Sequence, residues 1–221
     1  MIRGVFVTGT DTNVGKTIVS AALMHRYRNV SPLSYWKPIQ TGIEKDNDTE
    51  VIRQMGACAE AEILNEGYRL PQPLSPHLSA RLSNVKIEVE RLVRLIKDHP
   101  STVRWIVEGA GGLLVPLNEE ALLPALMAQL GLPVLIVARS GLGTINHTLL
   151  TLEALNSRML RVAGVVMVGN PHPENREAIE HFGGVSVISE MPLIKNLTSE
   201  ILARWASRDF DKQGLLREFF E

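Results

Sequence analysis

Short apolar runs recur along the chain, separated by stretches whose apolar residues fall at helical spacing. The runs are "VFVT" at 5–8, "SYWKP" at 34–38, "WIVEG" at 105–109, "PVLIVA" at 133–138, "VAGVVMV" at 162–168 and a weaker "VSVI" at 185–188. Most are continuous rather than alternating, the pattern of strands covered on both faces, as in a parallel sheet flanked by helices. Helical spacing occupies 16–28, 48–55, 88–98, 121–130, 144–158 and 175–181. In "EVERLVRLIKDH", Val89, Leu92, Val93, Leu95 and Ile96 form one stripe with charges opposite. Regular alternation of the two kinds predicts an α/β fold, a doubly wound, mostly parallel sheet flanked by helices. Ligands then bind at the carboxyl ends of the strands. The Pro-rich stretch 65–87 breaks the alternation and reads as a long connection over or beside the site, while 199–221 reads as helix packed on the body.

With 221 residues and 45% hydrophobic content the chain can bury one sizeable core, so a single domain over 1–221 is expected. A formal net charge of −1 gives no electrostatic reason to expect nucleic acid or an anionic membrane as a partner. The single cysteine, Cys58, excludes an internal disulfide and a thiolate metal cluster within one chain. No apolar run approaches the roughly 20 residues needed to cross a bilayer, and the first run leads directly into a loop rather than a cleavage site. A soluble protein of the cytoplasm is the expectation.

That loop is "GTDTNVGKT", Gly9 to Thr17, between a strand pattern and a helix pattern. Strand, tight loop and helix in this order aim unpaired backbone N–H groups at one point, at the positive end of the helix dipole. Lys16 adds a cation for the outer phosphates of a nucleotide, and the Thr17 hydroxyl suits a magnesium ion. The loop is one residue longer than G-x-x-x-x-G-K-[ST], since Thr10 holds the position of the first glycine and Gly9 precedes it.

Other polar groups stand where strands should end. Lys37 in "WKPIQTG" closes an apolar strand, with Thr41 following in a loop beside Gly42; position alone does not separate an anion ligand from a lysine reaching past the core to solvent. Glu108 closes "WIVEG" ahead of small residues and suits magnesium or a backbone cap. Asp48 in "KDNDTEV" stands at a helix start, where capping alone would explain it. "SGLGTINHTLLT" at 140–151 offers another nest of N–H donors for a carboxylate or phosphate. His147 within it reads as a packed or hydrogen-bonded histidine rather than a catalytic one, and His77 in "SPHLSA" lacks the second His, Cys or paired carboxylate that a zinc ligand needs.

Taken in order, "TGTDTNVGKT", "WKPIQTG", "LSPHLSA", "VEGAGG" and "GTINHTLLT" closely resemble the dethiobiotin synthetase family, with matching spacing from residue 3 to about 195. The resemblance implies a P-loop NTPase-like fold and an ATP- and Mg2+-dependent ligase that joins CO2 to 7,8-diaminononanoate and closes a cyclic urea, giving dethiobiotin, ADP and phosphate. It makes Lys37 the catalytic lysine beside carbamate and γ-phosphate, with Lys16 on the nucleotide side. It makes Thr17, Asp48 and Glu108 the magnesium ligands. Thr12 and Thr41 fall where the family contacts substrate, Thr41 in place of a serine. Asn13, Val14, Gly15, Lys16, Thr17 and Ile18 form the phosphate loop, and Asn13 stands where some members carry glutamate. Gly109, Ala110 and Gly111 line the nucleotide behind Glu108. Gly169 and Asn170, with Pro192, Leu193 and Ile194, fall where the family holds adenine. Family members are homodimers in which the segment matching Gly141, Leu142, Gly143, Thr144, Ile145 and Asn146 holds the substrate carboxylate across the subunit interface.

A nucleotide-switched partner protein of similar fold is the principal rival, and such proteins usually carry an extra lysine early in the loop. Residues 9–14 contain none, and the chain ends acidic rather than in a basic membrane helix. A larger amide-forming ligase would need an ammonia-producing domain for which 221 residues leave no room.

Overall fold

The computed structural model describes residues 2–44 and 47–221. A seven-stranded sheet runs in the order β4-β2-β6-β1-β7-β8-β9, and every strand pairing in it is parallel. Its strands are β1 (Arg3–Gly9), β2 (Leu33–Trp36), β4 (Ile63–Leu64), β6 (Arg104–Gly112), β7 (Val134–Arg139), β8 (Val162–Val168) and β9 (Val187–Met191). A separate parallel pair joins β3 (Ile39–Thr41) to β5 (Tyr68–Leu70). The helices are α1 (Lys16–Tyr27), α2 (Asp48–Met55), α3 (Pro76–Leu82), α4 (Val89–Lys97), α5 (Leu123–Leu130), α6 (Thr144–Asn156), α7 (Pro173–Gly183) and α8 (Ser199–Arg208).

Both faces of the sheet are covered, which is why its strands read as unbroken apolar runs. Val5, Val7, Tyr35, Ile106, Leu135 and Val166 pack with α1, α2 and α8 on one face. Phe6, Trp36, Val107, Ile136 and Met167 pack with α4, α5, α6 and α7 on the other. β1 lies between β6 and β7, so the chain builds one half of the sheet before β6 and the other half after it. The carboxyl ends of β1 and β6 meet at that reversal, where open α/β sheets hold their ligands.

Several expectations change. The stretch 65–87 is not a bare connection: it contains β5 and α3. β5 is ordered by pairing with β3, and α3 begins with Pro76 in its first turn after Ser75, a residue pair that favours a helix start. The α-helix of the C-terminal stretch stops at Arg208, and only a single 3-10 turn, Arg217–Phe219, follows it. Beyond it Asp211 and Gly214 take left-handed backbone angles, and the Asp211 carboxylate accepts the Leu215 and Leu216 N–H groups at 2.8 and 2.9 Å, which folds the tail into turns. The tail does pack on the body, with Phe220 stacked on Tyr27 at 4.3 Å between ring centroids. The weak strand expected at 185–188 begins two residues later, because Gly184 at φ +57° first ends α7. Among the described residues no helix is long and apolar enough to cross a membrane.

Candidate functional site: a lysine and carboxylate cluster beside the phosphate loop

The loop between β1 and α1 has the backbone that anion binding requires. Gly15 caps α1 at φ +98°, where a Cβ would press to 3.2 Å from Val168, and Asn13 also takes a left-handed angle, at φ +55°. Gly9 runs beneath the loop so closely that a Cβ would lie 2.6 Å from the Asp11 carbonyl oxygen. The Lys16 ammonium donates to that carbonyl at 3.2 Å and is buried at the loop's centre.

Four further side chains converge next to it. Lys37 lies one residue past the end of β2 and is buried; its Nζ bonds Glu108 Oε1 at 2.8 Å and also forms an ion pair with the Asp48 carboxylate. This decides between the two readings of Lys37 in favour of a lysine held inside. Thr17 Oγ1 lies 3.0 Å from Asp48 Oδ1 and 2.9 Å from Glu108 Oε1. One hydroxyl proton can serve only one of these oxygens at a time.

Three local assignments need correcting. Glu108 does not close its strand: β6 continues to Gly112, and Glu108 pairs with Val7 inside the sheet with its carboxylate on the α1 face, fully buried. Nor does Asp48 cap α2, since Asn47 does so by accepting the Glu50 N–H at 3.2 Å, leaving the Asp48 carboxylate free for Lys37 and Thr17. Thr41 is likewise the last residue of β3 rather than part of a loop, because Gln72 turns back and accepts the next N–H, that of Gly42, at 3.0 Å.

The charges reinforce one another. Burial would lower the pKa of Lys37, yet Glu108 and Asp48 together raise it above its ordinary value, so the ammonium stays charged. Burial opposes ionisation of Asp48, but Lys37 and the Thr17 hydrogen bond hold its carboxyl below the usual range. Lys16 is lowered, first by burial and then by the nearby Lys37 ammonium, with Glu108 working in the opposite direction. The field therefore has two ammonium groups facing two carboxylates across one hydroxyl.

The donor set passes a simple test for magnesium. One hydroxyl and two carboxylates, all hard oxygens, face one another within hydrogen-bond reach. Such oxygen donors are the kind that a magnesium ion takes from protein.

The remaining predicted residues lie in the phosphate loop, near the end of β6 and just past the carboxyl ends of β7, β8 and β9. Thr12 is exposed beside Asp11, whose Oδ1 accepts its N–H at 2.7 Å. Val14 is buried and Ile18 packs on the core. Ala110 is buried, while Gly109 and Gly111 run so close to Phe6 and Val115 that a Cβ on either would lie 3.0 Å away, tighter than ordinary van der Waals contact. Gly141, Leu142 and Gly143 project into solvent ahead of α6, whose first residue, Thr144, is buried; Asn146 is exposed and Ile145 partly covered. Gly169 follows β8 so tightly against Ser140 that a Cβ would meet its Oγ at 2.1 Å, and Asn170 next to it is exposed. Pro192, Leu193 and Ile194 follow β9 at the surface.

Tyr35 and Arg139 were not foreseen. The Tyr35 hydroxyl donates to Glu108 Oε2 at 3.1 Å, and its fully buried phenol is raised well above its usual pKa by burial and by Glu108 and Asp48. Its position two residues before Lys37, hence on the same face of the strand, is the signal that could have marked it. Arg139 at the end of β7 reaches the Thr12 carbonyl at 3.2 Å and Asp11 Oδ2 at 3.4 Å; a basic residue closing an apolar strand ahead of a Gly-containing turn was its signal.

A strand, a glycine loop cradling a lysine, and a threonine opening the next helix at the reversal of a parallel sheet define a P-loop nucleotide-binding protein. Among solved structures the chain resembles a ParA family ATPase from Chlorobium tepidum TLS, with a TM-score of 0.60 and 11% identity over 100% of this chain and 98% of that one. It also resembles a chain of the MinC:MinD cell division protein complex of Aquifex aeolicus, at TM-score 0.57 and 15% identity over 98% and 94%. At such identities the likeness is one of fold alone. A family model described as an AAA domain matches residues 3–201. The ATP-dependent dethiobiotin synthetase of Paramagnetospirillum magneticum is 50% identical over 202 residues, 91% of this chain and 94% of that protein. The enzyme of the same name from Agrobacterium fabrum is 42% identical over 210 residues, 95% of each chain. The chain belongs to the ATP-dependent dethiobiotin synthetase family of biotin biosynthesis.

Proposed function

We propose that the chain, acting as one domain, is an ATP- and magnesium-dependent cyclo-ligase. It converts 7,8-diaminononanoate and CO2 to dethiobiotin, with ATP going to ADP and phosphate, in the cytoplasm. The observation that carries this reading is the convergence of buried Lys37, buried Glu108 and half-buried Asp48 on Thr17, beside Lys16. Family membership supplies the substrates.

In this reading one amine of the diamine attacks CO2, forming a carbamate and releasing a proton. A carbamate oxygen then attacks the γ-phosphorus while the bond to the ADP oxygen breaks. The second amine attacks the resulting carbonyl carbon and gives up a proton, phosphate leaves with the former carbamate oxygen, and the urea ring closes. Carbamate and γ-phosphate are both anions, so the barrier to bringing them together is electrostatic, and fixed cations lower it without reorganising. Lys37 neutralises carbamate and transferring phosphoryl oxygens, and Lys16 does so from the nucleotide side. Thr17, Asp48 and Glu108 would hold magnesium, which supplies charge neutralisation at the β- and γ-phosphates. Asn13, Val14, Gly15 and Ile18 shape the phosphate loop, with Gly109, Ala110 and Gly111 along its side. Thr12 and Thr41 orient the diamine. Gly169, Asn170, Pro192, Leu193 and Ile194 border the base. The exposed turn from Gly141 to Asn146 offers N–H groups to the substrate carboxylate of a partner subunit, so the working form is a homodimer.

Purified protein given the diamine, bicarbonate and MgATP should release dethiobiotin, ADP and phosphate in equal amounts. ATP consumption indifferent to the diamine would overturn the assignment.

A further inference from the structure

The two oxygens of Glu108 have different neighbours. Oε1 meets Lys37 Nζ at 2.8 Å and Thr17 Oγ1 at 2.9 Å, whereas Oε2 accepts the Tyr35 hydroxyl at 3.1 Å. Tyr35 sits in β2 with its side chain fully buried on the α1 face, while Trp36 points to the opposite face. A glutamate's last torsion is broad and two-fold, so nothing intrinsic keeps one oxygen toward the loop. A phenol anchored in the core does. We propose that Tyr35 is a positioning residue: its O–H pins Oε2 and thereby presents Oε1, and that oxygen alone, to Thr17, Lys37 and the divalent cation they adjoin. This rests on the reading of the cluster as the phosphate and magnesium site of the ligase. Without the hydroxyl, the carboxylate is free to turn and offer both oxygens to Lys37. The ammonium is then held back from the anion it must meet, and the metal loses a fixed ligand.

Tyr35→Phe removes one oxygen and keeps the ring. With ADP saturating and Mn2+ replacing Mg2+, free Mn2+ is counted by electron paramagnetic resonance. The Mn2+ dissociation constant should rise, and kcat fall, by about 10-fold to about 100-fold, the range for a hydrogen bond to a charged group. Affinity for ADP without metal should stay unchanged. In a Glu108→Gln background the same change should not weaken Mn2+ further, because Tyr35 acts through that carboxylate. The proposal is overturned if Tyr35→Phe leaves both Mn2+ affinity and kcat at their original values, or if the loss is as large in the Glu108→Gln background. A chain that cannot fold without the hydroxyl would also overturn it, assigning Tyr35 to the fold alone. Should the unsubstituted protein make no dethiobiotin, the reading of function fails, while the Mn2+ comparison still decides the role of Tyr35.

Discussion

Lys37→Gln separates the chemistry of the site from its binding. The ammonium lies 2.8 Å from Glu108 Oε1 and pairs with Asp48 in a buried position. At that spacing an effective dielectric near 20 gives a gross attraction of about 6 kcal/mol for the Glu108 pair. Desolvation of the ammonium offsets much of it, but removing one partner leaves the buried Glu108 carboxylate uncompensated, which costs about 3–5 kcal/mol. Glutamine keeps a donor for one carboxylate, so the lower figure applies, and about 3 kcal/mol in a chain of this size lowers the melting temperature by roughly 10 °C. In the proposed reaction turnover should suffer far more, because the ammonium would offset the negative charge that gathers as carbamate meets γ-phosphate; kcat should fall by about a thousand-fold or more. Binding should not follow. On the proposed metal site, Lys37 pairs with the same two carboxylates that would hold magnesium, so the affinity for MgADP should hold or tighten once it is gone. Dethiobiotin formation, calorimetric titration with MgADP and thermal melting measure the three quantities. A fall in MgADP affinity matching the fall in kcat would show that Lys37 binds the ground state, and the reasoning here would be wrong.

Burial holds His25 below its usual pKa, with the Met55 carbonyl working the other way and Arg28 adding to the depression. The unfolded chain therefore binds its proton first, at about pH 6.5, and stability should drop as pH falls from there toward the lower folded value. Urea midpoints at pH 7.5 and 5.5 should differ less in His25→Gln than in the original chain; an equal difference would clear His25 of the effect. Burial raises the Cys58 thiol to about 11. At pH 8 its thiolate fraction is then over about 100-fold below that of a free cysteine, so reaction with a thiol reagent should be correspondingly slow until denaturant is added. Rapid labelling of the native chain would contradict that burial. Gly169→Ala places a Cβ 2.1 Å from Ser140 Oγ at φ +142°. Strain and contact together should destabilise the fold by roughly 2 kcal/mol, and adding Ser140→Gly should restore the contact share while leaving the backbone share. Equal stability of single and double variants would show that Ser140 is not the obstacle.

What could be read in advance followed the physics of repetition. Val5 to Thr8 and Val134 to Ala138 are covered on both faces, so their apolar runs marked strands without any knowledge of neighbours. The phosphate loop was legible because its glycines, Lys16 and Thr17 answer one local demand of geometry. Lys37, Asp48 and Glu108 were visible as odd residues, but their mutual contacts join three separate β-α units and leave no periodic trace. β3, β4 and β5 are too short to show any period and exist through pairing alone. Tyr35 went unseen because a tyrosine in a buried strand reads as core, and its polar end matters only once Glu108 is known to face it. Arg139 contacts Asp11 and Thr12 across more than a hundred residues of sequence, a distance over which spacing carries no information.

The central claim is that a carbamate oxygen attacks the γ-phosphorus between Lys37 and Lys16. Freshly prepared 18O-labelled CO2, given with the diamine and MgATP for times short against its exchange with water, follows that oxygen directly. Phosphate carrying one 18O, formed in step with dethiobiotin and resolved by its 31P shift, is the predicted result. Phosphate without label would mean that water, not the carbamate, takes the phosphoryl group, and would contradict the account.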